Sequence, residues 1–250
     1  TLIPALIPPG AAHVDGIYSL GVPDDLPTLV ALTGSMSSLI SDFAVRVAPK
    51  STIRSGTASR LPCGFTSETL SALMLRVLRL NCVTNAYAEI WQKCFDDHFH
   101  LDAWAKSSAH GLLRGGLGDV THSWTDAIPL RSAVERRQAL IEIDALVALS
   151  VGATADELCA IYRTQFPVLY GYDTRGTFYD VNGRSVPSAI LALWRRRGMN
   201  SGNYTNEELS SSHPGSGLVY RYETPFISLD REQDLQFAFA VFADRLGPRP

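Results

Sequence analysis

The stretch Ser132-Ala-Val-Glu-Arg-Arg-Gln-Ala-Leu-Ile-Glu-Ile-Asp-Ala-Leu-Val-Ala-Leu-Ser150 carries the strongest helical pattern in the chain. Leu140, Ile143, Leu146, Val147 and Leu149 supply its core face, and Gly152 ends it. Immediately after, Thr154-Ala-Asp-Glu157 has the spacing of a capping box and opens another helix, which closes before Pro167. Two consecutive helices of this strength make the chain helix-rich.

Working outward, Ser67 is placed to cap a helix whose Leu70, Leu73, Met74, Val77 and Leu78 keep a helical period, with Arg76 and Arg79 flanking it. Pro27, behind Asp24 and Asp25, opens a helix expected to run unbroken to about Val47 on a stripe of Leu29, Leu32, Met36, Leu39, Ile40 and Phe43. A further helical stretch spans about Asn85 to Phe99, whereas residues 103–129, rich in Gly and Ser, look the least structured. On the C-terminal side, Thr177 to Val181, the Asn182-Gly183 pair and Arg184 to Val186 predict a tight hairpin. A short helix is expected over Ser188 to Arg197, then a mobile Gly/Ser/Asn-rich segment over 198–217. Asp230 with Gln233 caps a last helix faced by Leu235, Phe237, Phe239, Val241 and Phe242. The expected class is α+β, helix-rich.

Composition narrows the function. The 250 residues are 46% hydrophobic and 19% charged, which excludes a disordered chain. Lys and Arg number 22 against 25 Asp and Glu, a net charge of −3, so an all-over basic coat for nucleic acid is excluded while a local basic face is not. Four cysteines (Cys63, Cys82, Cys94, Cys159) form no Cys-x-x-Cys pair, which points to a reducing cytoplasm. No apolar run is long enough to span a membrane, and Thr1 begins no leader pattern, so the chain reads as a piece of a longer protein or a processed product.

Catalytic motifs are missing from the sequence. There is no phosphate loop, no Gly-x-Ser-x-Gly elbow and no His-Glu-x-x-His helix. Gly115-Gly116-Leu117-Gly118 matches no dinucleotide fingerprint and reads as a flexible loop. Lys50, Lys93 and Lys106 each follow an apolar residue two positions upstream, so no acid-x-Lys nuclease site can be drawn, and Pro8-Pro9 follows Ile7 rather than Asn or Asp. Cys94, His98 and His100, near Asp96, Asp97 and Asp102, have a spacing that could hold zinc, yet no second ligand pair accompanies them. They are read as the acidic end of an amphipathic helix, with no metal.

Charge is segregated along the chain. Arg46, Lys50, Arg54 and Arg60 fall in a stretch with no acid, as do Arg184, Arg195, Arg196 and Arg197 between Val181 and Asn206. Arginine is the fork-shaped cation suited to phosphates and guanine edges. These eight residues are the candidate DNA-binding set, with Asn203 and Tyr204 as weaker base-reading candidates. Trp91, Trp104, Trp124, Tyr87 and Tyr162 are expected as core or lobe-contact residues rather than base-stacking platforms, and Glu142 or Asp144 is expected to pair with Arg163, Arg136 or Arg137.

Several blocks resemble a known family. Met36-Ser-Ser-Leu-Ile-Ser-Asp-Phe-Ala-Val-Arg46 followed by Arg60-Leu-Pro62 resembles the TaqI-like specificity segment of type II restriction-modification enzymes with fused activities. Leu75 to Cys82, Glu135 to Leu146, Glu157 to Pro167, Tyr179 to Arg184 and Asp230 to Asp234 are similar to blocks of the C-terminal region of large bacterial adenine-specific DNA methyltransferases. The resemblance implies a target-recognition-type lobe, with residues 1–64 the end of the specificity segment and 65–250 a helical region carrying a small hairpin. It implies double-stranded DNA and an upstream methylase domain as partners. S-adenosylmethionine is expected for the parent enzyme and none for this chain, whose catalytic core would lie upstream. Some family members also cleave DNA or serve phage defence. The rival reading is a helical module that docks a partner subunit or the methylase core without touching DNA.

Overall fold

Helix α6 (Ala133–Ser150) is buried on nearly every side, so its partners surround it rather than cover one stripe. Glu142, Asp144 and Arg137 are as buried as Leu146 and Leu149, while Leu140, expected in the core, is 38% exposed. Ser132 and Glu135 close a reciprocal cap at its N-terminus. The computed structural model describes residues 2–13, 16–48, 53, 55–106, 111–200 and 202–246. Among these the elements are α1 (Leu26–Met36), α2 (Leu39–Val47), α3 (Ser55–Ala58), α4 (Ser67–Asn81), α5 (Ala88–Cys94), α6, α7 (Ala155–Gln165), α8 (Pro167–Arg175), α9 (Ser188–Arg196), β1 (Ser210–Ser212), β2 (Val219–Arg221) and α10 (Arg231–Leu246). Helices α10, α4, α7, α2 and α1 all pack on α6. The fold is α+β and helix-rich.

The helix expected over residues 27–47 is two, meeting at 68° across Ser37 and Ser38. The hydroxyls cause the break. Ser37 Oγ donates to Thr33 O and Ser38 Oγ to Ser35 O, both at 2.7 Å, and Ser38 Oγ then accepts Ser41 N as the cap of α2. Next to the bend, Gly34 faces α4 with no room for a side chain. A Cβ there would lie 2.7 Å from Val77 Cγ2 and 2.9 Å from Leu73 Cδ1, both fully buried. Alanine would gain about 1 kcal/mol of helix propensity, but overpacking costs about 1–3 kcal/mol. Gly34→Ala is therefore expected to lower the urea midpoint, and an unchanged or raised midpoint would show that α1 and α4 can separate freely.

The structure refines the reading of several other segments. Thr66, not Ser67, is the N-cap of α4. Helix α7 ends before Pro167 as expected, and Pro167 takes the first position of α8, a helix not foreseen, where its missing N–H is harmless. Residues 103–106 and 111–129 are tied to the core rather than loose: Trp91, Trp104 and Trp124 donate their indole N–H groups to Thr121 O, Gly115 O and Cys82 O. The Arg79 guanidinium, expected on a helix flank, is buried and donates to Ile128 O, Gly116 O and Leu117 O. The Gly115–Gly118 loop is thus packed around a cation.

Buried ion pairs join the helices. Arg76, read from the sequence as flanking the apolar stripe of α4, is wholly buried and reaches Glu142 at 2.6 Å and Asp102 at 2.5 Å. Arg137 binds Asp234, whose other oxygen takes Lys106, and Arg231 binds Asp173. Glu142 therefore pairs with Arg76 from α4, and Asp144 accepts the Leu39 N–H at the start of α2. Neither uses Arg163, Arg136 or Arg137. Arg163 pairs with Glu232, and Arg136 donates to Leu80 O and Leu130 O.

Leu6, Val30 and Ile40 share one core with Leu73, Leu146 and Phe242, so packing continues across positions 64 and 65. A second, smaller core lies between residues 186 and 226, built from Val186, Ile190, Leu191, Trp194, Leu209, Tyr222 and Phe226. Within this small lobe the Asn182-Gly183 turn is present, with Gly183 at φ +71° and both Asn182 N and Arg184 N donating to Asp180 Oδ1. Tyr179 makes single bridges to Ser185 and to Ile227 rather than a longer ladder. The regular hairpin forms instead with one strand, β1, in the segment expected to be mobile and the other, β2, just after it: the two are antiparallel, pairing Ser210 with Arg221, Ser211 with Tyr220 and Ser212 with Val219. Asp230 caps α10 as expected, but its core face is Leu235, Ala238 and Phe242, with Phe237 48% exposed. No single helix among the described residues is long and apolar enough to cross a membrane.

Candidate nucleic-acid interface

Whether an arginine can bind an external anion depends first on whether the fold has already neutralised it. In the main body it mostly has. Arg76, Arg137, Arg163, Arg231 and Arg245 all have carboxylate partners. Arg46 joins them: it lies 3.4 Å from Asp42, donates to Gln165 O at 3.0 Å and stacks 4.3 Å above the Phe166 ring. Its position fastens α2 to the end of α7. Arg60 is exposed on the turn after α3, while Lys50 and Arg54 lie outside the described residues.

The small lobe is different. Arg184, beside the Asn182-Gly183 turn, donates one N–H to Arg221 O at 3.1 Å and lies 5.3 Å from the Tyr220 ring centre. Arg195 donates one N–H to Arg175 O at 2.8 Å and lies 5.4 Å from the Phe178 ring centre. Arg196 is exposed beside it. A guanidinium held by one carbonyl and a ring keeps its charge and most of its five donors for another partner, already oriented. Arg197 is the exception in the set. It forms a two-point pair with Glu208, sits 5.1 Å from the Tyr204 ring centre and donates to Asn203 O, so it fixes the 198–208 segment. The Arg197 N–H groups hold the Glu208 carboxyl below its usual range. Asn203 and Tyr204 thus belong to that bracket, Tyr204 through its hydroxyl on Asn200 O.

Three arginines join the patch that charge runs along the sequence missed. Arg114 donates to Val181 O at 3.1 Å, which brings the loop after residue 111 against the turn. Arg175 ends α8, a helix the sequence did not announce, and Arg221 ends β2. Each is exposed. Among the described residues, Arg114, Arg175, Arg184, Arg195, Arg196 and Arg221 have no carboxylate partner. Between residues 175 and 229 the acids are four, of which Asp180 is fully buried and Glu208 is taken by Arg197. Of the others, Glu223 accepts the Asn182 amide at 3.3 Å.

The two acid-free stretches are therefore not joined in one packing unit. Arg46 and Arg60 belong to the main body, and residues 184–197 belong to the small lobe. Contact between lobe and body runs through Val134 N, which donates to Gly183 O at 3.1 Å, and a small cluster of Leu112, Val134 and Tyr179.

Other candidate chemistry dissolves on inspection. Cys94 is buried at the end of α5 and the chain then leaves the α-helix, so Cys94 and His98 do not share a helical face. His98 is held by Asp96 at 2.7 Å, and among the described residues no group of three His, Cys, Asp or Glu converges on one point. Burial pushes the Cys94 thiol up to about 11 and the Cys82 thiol up to about 12, which leaves both unreactive. A methyl-donor pocket needs a strand followed by a glycine turn, and the Gly115–Gly118 loop, wrapped on Arg79, does not fit one. A polar cavity of about 460 Å³ lies at the start of α10, but the charged groups along it pair with one another, Arg163 with Glu232 and Arg231 with Asp173.

No protein-family model, curated protein or solved structure matches the chain.

Proposed function

We propose that this chain binds duplex DNA through the small lobe and serves as the target-recognition part of a site-specific adenine N6 DNA methyltransferase. The observation that carries the proposal is the division of its arginines. Those of the main body mostly pair with carboxylates, while six without carboxylate partners, five of them exposed and Arg184 half-buried, gather on and beside one lobe. Folding has left a local positive face on a chain whose net charge is −3, which is the footprint that phosphate contacts require. The enzyme class rests on the sequence blocks quoted above. An adenine amino group is paired and stacked inside a duplex and must be flipped out to be methylated, so a lobe that grips the duplex beside it has a defined task. Methyl transfer from S-adenosylmethionine belongs to other residues of such an enzyme, and no step of it is assigned to this chain.

The rival docking role is favoured by a different surface. Ile3, Ile7, Ile17 and Tyr18 are all more than half exposed near the N-terminus. The two readings separate in a salt titration with a labelled duplex. Four to six phosphate contacts predict a roughly 10²–10³-fold loss of affinity between 50 and 200 mM salt. Arg184→Ala/Arg195→Ala/Arg196→Ala should reduce the log–log salt slope by about 3 × 0.9. Absence of binding at low salt, or a slope that the triple variant leaves unchanged, would overturn DNA binding through this lobe.

A further inference from the structure

One face of the β1–β2 ribbon presents three exposed residues, Ser212, Val219 and Arg221. Period-two alternation and the observed register put Ser211 and Tyr220 on one side, and the pairs Ser210–Arg221 and Ser212–Val219 on the other. The first side is half-buried and faces the lobe, where Tyr220 lies between the Arg184 guanidinium at 5.3 Å and the His213 ring at 6.4 Å. The base of the ribbon is anchored by Tyr222 N on Leu209 O, two residues of the small core. Beyond that anchor residues 212–219 are all exposed, Val219 at 69% and Leu218 at 58%. There is no Asp or Glu from Leu209 to Tyr222.

A two-stranded ribbon with one strand of serines, an exposed turn, no acid and arginines at its base matches one occupant well. The major groove, about 12 Å wide, admits such a ribbon. Resting on the duplex-binding reading above, we propose that this ribbon enters the major groove and reads base edges with its outer face, through Ser212, Val219 and Arg221. The Ser212 hydroxyl donates and accepts, Val219 offers an apolar contact to a thymine methyl, and the Arg221 fork fits guanine O6 and N7. Arg184 and Arg195, fixed on rings at the ribbon's root and on α9, take phosphates and set its register.

The test is selection from a pool of random-sequence duplexes by the chain and three variants. Wild type should enrich a motif. Ser212→Ala/Val219→Ala should retain overall affinity but lose a preference of about 5–150-fold at one or more motif positions. Arg221→Lys, which keeps the charge and loses the fork, should lose preference for guanine while keeping the salt slope. Arg195→Ala/Arg196→Ala should weaken every sequence alike and keep the motif. The replaced ribbon residues are exposed, and thermal melts check that each variant folds. An unchanged motif in both ribbon variants overturns base reading by this face, as does duplex binding by wild type with no motif at all. If wild type binds no duplex, the DNA-binding reading itself falls.

Discussion

Replacing Arg76 with methionine is expected to cost about 3–5 kcal/mol of folding stability, the range for removing one partner of a buried ion pair. The guanidinium is wholly buried and joins three parts of the chain: its own helix α4, Glu142 on α6 and Asp102 in the segment between α5 and α6. Burial opposes its charge, yet Glu142 and Asp102 outweigh burial and raise its pKa above the ordinary arginine value. Methionine fills much of the stem's volume, so the loss reports on charge more than on a cavity. The group left behind is Glu142, itself fully buried and, among the described residues, then served only by Ala105 N and Gln138 Nε2, both at 2.8 Å. Asp102 is less exposed to the change, since Arg245 and its neighbour Ala103 N also reach it. The double variant Arg76→Met/Glu142→Gln removes the orphaned charge and keeps an oxygen for Ala105 N–H, so it should recover a large part of the loss. Urea unfolding of the two variants and wild type decides the matter. A single-variant loss below about 1 kcal/mol, or a double variant no better than the single, would mean that the pair contributes little.

Asp144 is expected to make the chain less stable as pH rises from about 4 to about 7. Burial pushes its carboxyl from the ordinary 3.8 up to about 7, against the Leu39 N–H bond and the attraction of Arg231. Between those values the folded chain holds a proton at Asp144 that the unfolded chain releases. The folded state binds more protons there, so stability is full below about 4 and falls as pH rises toward about 7. Three units correspond to roughly 4 kcal/mol at most. Carboxyls held low by their partners, such as Glu208 and Glu232, act with the opposite sign, since their contribution is lost as pH falls. Asp144→Asn keeps an oxygen for the Leu39 N–H and removes the titration. The difference between wild-type and variant unfolding free energies, measured from pH 4 to pH 8, isolates this residue. A flat difference would remove the claim.

These two residues also show where a sequence stops being readable. Arg76 has the same spacing and chemistry as any surface arginine on an amphipathic helix, and its carboxylate partner on α6 lies 66 residues away. The Asp144 contact with Leu39 spans 105 residues. The candidate interface divides in the same way. Arg184, Arg195 and Arg196 stood out as cations in an acid-free run and sit on the small lobe, and Arg197 stood out equally but meets Glu208. Arg46 was in an equally acid-free run, yet α2 presents it to Asp42 four residues earlier and to Phe166. Arg114, Arg175 and Arg221 carried no sequence signal because each is a single cation in an unremarkable segment.

What the sequence determined by itself is whatever rests on groups three or four residues apart. The Thr154–Glu157 and Asp230–Gln233 caps, the long apolar run of α6, the Asn182-Gly183 turn and the helix-rich class all follow from such local bonds. Tertiary structure alone decided which cations were consumed in the core and which were left on one lobe. It also decided that residues 198–217 would contribute one strand of a ribbon. An arginine's availability depends on the carboxylates, carbonyls and rings that distant segments bring to it, and a one-dimensional pattern holds no record of that arrival.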